Sequence, residues 1–209
     1  MPHLLRIDSS ISPDSRTRAI TQAYEDAWTA RGEDWTLTRR DLTLTPPPHL
    51  LHSALHWPAR LRSAEVDLPE IEAAQQEILA EIAAADVLVI GAPMYNYAPA
   101  STLKAWLDHV HVPGLTAPFD GDTQPYAGKT AVIVSARGGA YDPAPEAGDD
   151  HVIAPIRLVL GSGLGMQVDT IVTSRTLAAI LPDLGLEQSE AELQAALAEA
   201  ARHAGAYGA

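Results

Sequence analysis

Two short runs constrain this chain most: Asp86-Val87-Leu88-Val89-Ile90-Gly91 and Thr130-Ala131-Val132-Ile133-Val134-Ser135. Both are almost wholly apolar, without the alternation expected of a strand that has one wet face. A continuous apolar run of this length reads as a strand covered on both sides, the condition of a parallel sheet between helices. Helix-period stretches lie elsewhere in the chain, one of them directly before the first run. Pro69–Ala85 has proline at its start, Glu70 and Glu72 in its first turn, and apolar Ile71, Ile78, Leu79 and Ile82. Ser15–Arg31 places Ile20, Tyr24, Ala27 and Trp28 on one face.

The same reading continues along the chain. His3–Asp8, Trp35–Leu42 and Gln167–Thr173 are further strands, Trp35–Leu42 nearer an edge because it carries Arg39 and Arg40. Pro99–Val110, His151–Gly161 and Glu187–His203 are further helices. Five strands separated by helical segments predict an α/β doubly wound, five-stranded parallel sheet with helices on both faces. With right-handed crossovers, the smallest such architecture is flavodoxin-like. One domain spanning 1–209 is expected, with irregular excursions near 43–68 and 112–128, both rich in proline.

Composition removes several classes of function. The absence of cysteine excludes disulfides, thiolate metal sites and a thiol nucleophile. A formal net charge of −13 argues against nucleic acid or an anionic membrane as the main partner, since both demand a basic footprint. Apolar content of 46% and charged content of 20% are those of a globular protein. No apolar run approaches the roughly 18 residues that cross a bilayer, and Leu4-Leu5-Arg6-Ile7 is a strand rather than a secretion signal. Cytoplasm is the expected location.

In open α/β sheets, ligands bind beyond the carboxyl ends of the strands. Three segments fall there. The first, Ser9-Ser10-Ile11-Ser12-Pro13-Asp14-Ser15-Arg16-Thr17, sets four serines and a threonine where a strand hands over to a helix. Free N–H groups and the helix dipole make that place an anion site, hydroxyls add neutral donors, and Arg16 or Arg18 can supply charge. A plainer reading makes Asp14 or Ser15 an N-cap and the other serines loop solvation. The segment lacks glycine, so it is neither a dinucleotide turn nor a P-loop.

The second segment, Ala92-Pro93-Met94-Tyr95-Asn96-Tyr97-Ala98-Pro99, offers aromatic faces and an amide to a planar heteroaromatic ligand. The alternative is an ordinary strand-to-helix loop in which the tyrosines pack. In the third, Ser135-Ala136-Arg137-Gly138-Gly139, paired glycines admit close backbone approach, and Arg137 can steady negative charge on a reduced ring; a sharp turn with a surface arginine is the alternative. Together these are a phosphate cradle, a flat slot and opposing donors, the requirements of flavin mononucleotide (FMN).

No G-x-S-x-G elbow accompanies the Ser, His and Asp residues present. His49, His52 and His56, and His109 with His111, match no recognised metal spacing and read as surface or slot-lining residues; no metal is expected. Trp28, Trp35 and Trp106 read as core, and Trp57 as a candidate slot wall. No side chain is a certain catalytic residue; Tyr126 and Tyr141 are candidate proton donors from loop position alone.

Ser9-Ser10, Ser15-Arg16-Thr17, Pro93–Tyr97 with Pro99, Leu103-Lys104-Ala105-Trp106-Leu107-Asp108, Arg137-Gly138-Gly139 and Leu160–Gly165 carry a resemblance. The chain resembles the FMN-dependent NADH-azoreductase family, within the flavodoxin-like quinone reductases. The resemblance implies a homodimer with one FMN per subunit near the interface. It implies that NADH or NADPH reduces the flavin and leaves before a quinone or azo compound takes the electrons. By position, Ser10, Ser15, Arg16 and Thr17 would hold the phosphate. Pro93, Met94, Tyr95, Asn96 and Tyr97 would line the isoalloxazine, and Ser135, Ala136, Arg137, Gly138 and Gly139 would border its pyrimidine side.

There are departures from the family pattern. Ala136 stands where the family often has serine, with Ser135 one place earlier, and the loop between Ser10 and Ser15 is a residue shorter than in some relatives. Segments 49–62 and 112–126, which shape the substrate slot in such enzymes, align with little. A specialised biosynthetic flavin reductase acting on a dedicated quinone or N–N substrate, and a non-enzymatic FMN-binding electron carrier, are the competing readings.

Overall fold

The computed structural model describes residues 1–62, 67–141 and 148–208. Five parallel strands form one sheet: β1 (His3–Asp8), β2 (Thr36–Asp41), β3 (Val87–Tyr95), β5 (Thr130–Ala136) and β6 (Gln167–Thr173), with β4 (Ala98–Pro99) antiparallel to the end of β3. Their spatial order is β2-β1-β3-β5-β6. The chain therefore runs outward from β1 to one edge, returns to β3 and continues to the other edge, the flavodoxin-like order with its switch point between β1 and β3. One row of partners, Asp41–Asp8–Gly91–Val134–Ile171, crosses the sheet at the carboxyl ends of β1, β2 and the centre of the sheet. The ends of β1, β3 and β5 are adjacent, as expected.

The two apolar runs are buried on both faces for the reason the sequence implies. On β3, Leu88 and Ile90 face one core, shared with Ile78 and Ile82 of α2 (Pro69–Ala84), Leu103 and Trp106 of α3 (Ser101–Val110), and Ile156 of α4 (Ile153–Arg157). Val87 and Val89 face the other, against Ile20, Tyr24 and Trp28 of α1 (Arg16–Thr29) and Ala196, Ala200 and Ala204 of α5 (Leu186–Ala206). Strand side chains alternate faces, so a strand between two helical layers needs apolar residues at every position. The alanines of α5 let it approach α1 closely, and Tyr24 Oη meets His203 Nδ1 at 3.0 Å across that contact.

Trp28 and Trp106 are core, and Trp35 packs edge-on against Trp28 at 4.8 Å. Segment 49–62 contains two short 3-10 turns, Ser53–His56 and Ala59–Leu61, while 63–66, part of the 43–68 excursion, lies outside the described residues. The two excursions hold each other: Trp57 packs on Phe119 at 4.7 Å, and Arg60 pairs with Asp120. The helix read over His151–Gly161 is α4 followed by wide π-type turns from Leu158 to Gly163.

Near the β2 edge, an ion network is buried beneath α1. Arg6 donates to Asp8 and Glu25, each at 2.9 Å, and Arg39 also donates to Glu25. Thr21 donates its hydroxyl to Asp8.

Candidate functional site

Beyond the carboxyl ends of β1, β3 and β5 lies a cleft of about 310 Å³, within the range of roughly 300–1,000 Å³ for small-molecule sites. Ser10, Ser12, Asp14, Ser15 and Arg16 line it from the first loop, Pro93, Met94 and Tyr95 from the second, and Ala136 and Gly138 from the third. Three segments far apart in sequence share one cavity.

The first loop is built as a helix entrance. Ser15 is the N-cap of α1; its Oγ accepts the Arg18 N–H at 3.2 Å and lies 2.9 Å from the Thr17 hydroxyl. The N-cap reading of Ser15 is therefore right, and it is compatible with anion binding, because a capped first turn still presents unpaired N–H groups. Ser9 donates its hydroxyl to the Gly91 carbonyl at 2.7 Å, fastening the end of β1 to β3. Thr17 is fully buried at the base of the loop.

Both arginines have intramolecular partners, but they differ: Arg18 is paired with Asp41, whereas Arg16, which lines the cleft, bonds only uncharged oxygens and keeps its positive charge. The Arg16 guanidinium donates to the Ser174 and Ser189 carbonyls and to the Thr173 and Ser189 hydroxyls. Burial pushes its pKa down, against the pull of Glu192 and Glu190. Arg18 donates to the Ser10 carbonyl, Asp41 and Thr43. The first loop thus brings the hydroxyls of Ser10, Ser12 and Ser15 to the cleft, with Asp14 and Arg16 beside them.

The second loop is a hairpin rather than a simple turn. β3 runs on to Tyr95 and pairs back through Met94–Pro99 and Tyr95–Ala98. Asn96 and Tyr97 lie between, with φ of 49° and 70°. A two-residue connection of this kind takes the I′ geometry, with positive φ at both central residues; Asn tolerates that, whereas a bulky aromatic is strained. Asn96 and Tyr97 are exposed at the tip, outside the cleft lining. Tyr95 turns its hydroxyl toward the first loop, 3.1 Å from Ser10 Oγ and accepting the Ile11 N–H at 3.1 Å.

At the end of β5, Ser135 Oγ and Arg137 Nε are buried without a hydrogen-bond partner among the described residues. Buried orphan donors each cost about 1–3 kcal/mol and call for a partner. The carbonyls and ring nitrogens of a flavin's pyrimidine edge are partners of the right chemistry, and the hydroxyl cradle suits its phosphate. The residues fit FMN.

Tyr141 packs against Gly139, its Cε2 3.2 Å from where a Cβ at that glycine would sit, with Arg137 5.9 Å from its ring centroid. Burial, with Tyr97, Asp149 and Asp150 nearby, pushes the Tyr141 pKa up, so its phenol stays protonated and can donate. Tyr126 is a correction. It is buried in the α2-side core with its hydroxyl donating to the Leu79 carbonyl, just before β5 begins and hence at the amino ends of the strands, opposite the cleft. It cannot reach a ligand in this cleft.

The sequence reading missed a fourth loop. Thr176 and Leu177, after β6, line the cleft, and the N–H groups of Arg175, Thr176 and Leu177 donate to the Gly139, Arg137 and Gly138 carbonyls. Its signal was present: the end of β6 lies at the same sheet edge.

Among known proteins, residues 2–204 match the family described as having a flavodoxin-like fold. An FMN-dependent NADH:quinone oxidoreductase of Kineococcus radiotolerans is 49% identical over 96% of this chain and 97% of its own length. One of Streptomyces avermitilis is 37% identical over 87% of this chain and 85% of its own. The structure of an FMN-dependent NADH-azoreductase from Bacillus anthracis in complex with FMN matches over 97% of each chain, with a TM-score of 0.79 and 18% identity, a likeness of fold. The chain belongs to the flavodoxin-like family that includes these FMN-dependent NADH:quinone oxidoreductases.

Proposed function

We propose that this protein is an FMN-dependent NADH:quinone oxidoreductase that also takes azo compounds, using NADH or NADPH as donor. The observation that carries the reading is the single cleft into which the ends of β1, β3 and β5 open, with the hydroxyls and Arg16 of the first loop on one side and Ala136 and Gly138 of the third on the other. The 49% identical relative supports it over nearly the whole chain. Bound FMN would supply the hydride chemistry, accepting two electrons and a proton from the nicotinamide and returning them, with a second proton from solvent, to a quinone.

The chain's own residues bind and orient. Ser10, Ser15 and the N–H groups opening α1 hold the phosphate; Pro93, Met94 and Tyr95 form the wall of the ring slot. Asn96 and Tyr97 border it from the hairpin tip, and Ser135, Ala136, Gly138 and Gly139 face the pyrimidine edge. Tyr141, packed against Gly139, is the side chain that could relay that solvent proton to the acceptor. Donor and acceptor would react in turn, a ping-pong order. A homodimer, a single domain over 1–209 and a cytoplasmic setting belong to the same reading, supported by the resemblance to azoreductases. Among the described residues no helix is long and apolar enough to cross a membrane.

Purified protein loaded with FMN should show a yellow flavin spectrum that bleaches with anaerobic NADH and returns on adding a quinone. A protein that takes up no FMN, or whose bound flavin NADH leaves oxidised, would refute the proposal.

A further inference from the structure

Arg137, the cation of the third loop, is already paired. Its Nη2 lies 2.5 Å from Asp150 Oδ2, and the two side chains are only 14% and 9% exposed. The other Asp150 oxygen accepts the Val152 N–H at 2.8 Å, so the carboxylate is fixed by its own segment ahead of α4. The next residue ties that segment to the hairpin: the His151 N–H donates to the Tyr97 carbonyl at 3.0 Å. Asp150 thus sits where the third loop, the hairpin tip and the approach to α4 meet. No role for it is visible in the sequence.

We propose that Asp150 is a positioning residue of the flavin site, orienting the Arg137 guanidinium and offsetting its charge beside the ring. The inference rests on the FMN reading above. A flavin gains negative charge on two-electron reduction, and charge near the ring's N1 tunes its potential. A free Arg137 would favour the reduced form; an Arg137 shared with a buried carboxylate favours it less. Asp150 therefore holds the bound flavin at a lower potential, so that it passes electrons on to the acceptor more readily. The pairing also fixes the guanidinium so that Nε, which has no partner among the described residues, is held in place to donate.

The test is the midpoint potential of FMN on the loaded protein, measured anaerobically against a reference dye, with FMN affinity from fluorescence quenching. Asp150→Asn, which keeps an acceptor for the Val152 N–H, should raise the ratio of reduced-FMN to oxidised-FMN affinity about tenfold. That ratio corresponds to about 30 mV for a two-electron couple. Arg137→Gln should lower the potential, and adding Asp150→Asn to it should raise the potential by clearly less than the same change does in the wild type, because only the carboxylate's direct field is then removed. Asp150→Ser gives the same reading should the asparagine variant fold poorly. An unshifted potential in both Asp150 variants overturns the proposal while leaving the flavin reading intact, even if their melting temperatures fall. A shift that is undiminished in the Arg137→Gln background overturns it too. Wild-type protein that binds no FMN brings down both readings.

Discussion

Removing one oxygen atom, as Tyr95→Phe, separates two jobs that the second loop can do. The ring, if it borders the isoalloxazine, is retained; what is lost is the hydroxyl that meets Ser10 Oγ and accepts the Ile11 N–H, each at 3.1 Å. The two contacts differ in worth. Ile11 is exposed, so water replaces its bond at little cost, whereas Ser10 is only 2% exposed and keeps just a long contact from the Ser12 N–H at 3.3 Å. A net hydrogen bond is worth about 0.5–1.5 kcal/mol, so the variant should lose about 1 kcal/mol of stability. The same loss of order in the phosphate loop should weaken FMN about fivefold, since 1.4 kcal/mol is tenfold in affinity. Urea unfolding of the apoprotein reads the first effect and flavin fluorescence quenching the second. Unchanged stability and unchanged FMN affinity together would refute the claim that Tyr95 braces the phosphate loop from the hairpin.

Other consequences are equally direct. A Cβ at Gly91 would lie 2.9 Å from Asp8 Oδ1, an atom that Thr21 holds and cannot release, so Gly91→Ala should cost about 1–3 kcal/mol of overpacking, seen as a lowered melting temperature. Tyr97→Asn should relieve backbone strain of up to about 1 kcal/mol at φ 70°, raising stability in urea while raising the KM for the acceptor; a fall in stability would contradict the strain. Glu25 is pushed up by burial, yet the bonds from Arg39 and Arg6 prevail and hold its pKa at about 2, against an ordinary 4.5. A folded-state pKa below the unfolded one contributes stability above pH 4.5 that is lost between pH 4.5 and 2, here about 3 kcal/mol. Asp8 runs the other way: burial raises its pKa, so its protonation favours the folded state as pH falls. Urea titrations from pH 7 to 3 should show a shallower acid loss in Glu25→Gln than in the wild type, and equal slopes would refute the assignment.

Much of this architecture is legible without coordinates, for a physical reason. Periodicity is local: whether Leu88 and Val89 are both buried is written in the run itself, because only a strand between two helical layers tolerates it. From that follow the parallel sheet and, with right-handed crossovers, a ligand site beyond the carboxyl ends of its strands. The hairpin at Asn96–Tyr97 is not legible in the sequence, since no glycine announces the positive φ values and two prolines obscure the pairing. The fourth loop was missed because Thr176 and Leu177 carry no recognisable ligand chemistry. Tyr126 was misjudged because a tyrosine in a Pro/Gly-rich connection looks the same whether its ring turns outward or into the core.

The sequence by itself determined the layering of the sheet, the strand ends at which the cleft lies and the hydroxyl-rich character of its first loop. Only the tertiary structure decided which partner each long polar side chain takes. Arg16 reaches across 173 positions to Ser189, Tyr95 across 85 to Ser10, and Arg137 turns to Asp150. A guanidinium or phenol can satisfy its donors in several ways at similar free energy, and the choice falls to whichever groups distant elements bring within about 3 Å. That placement is a property of the packed sheet and helices, and no window of neighbouring residues contains it.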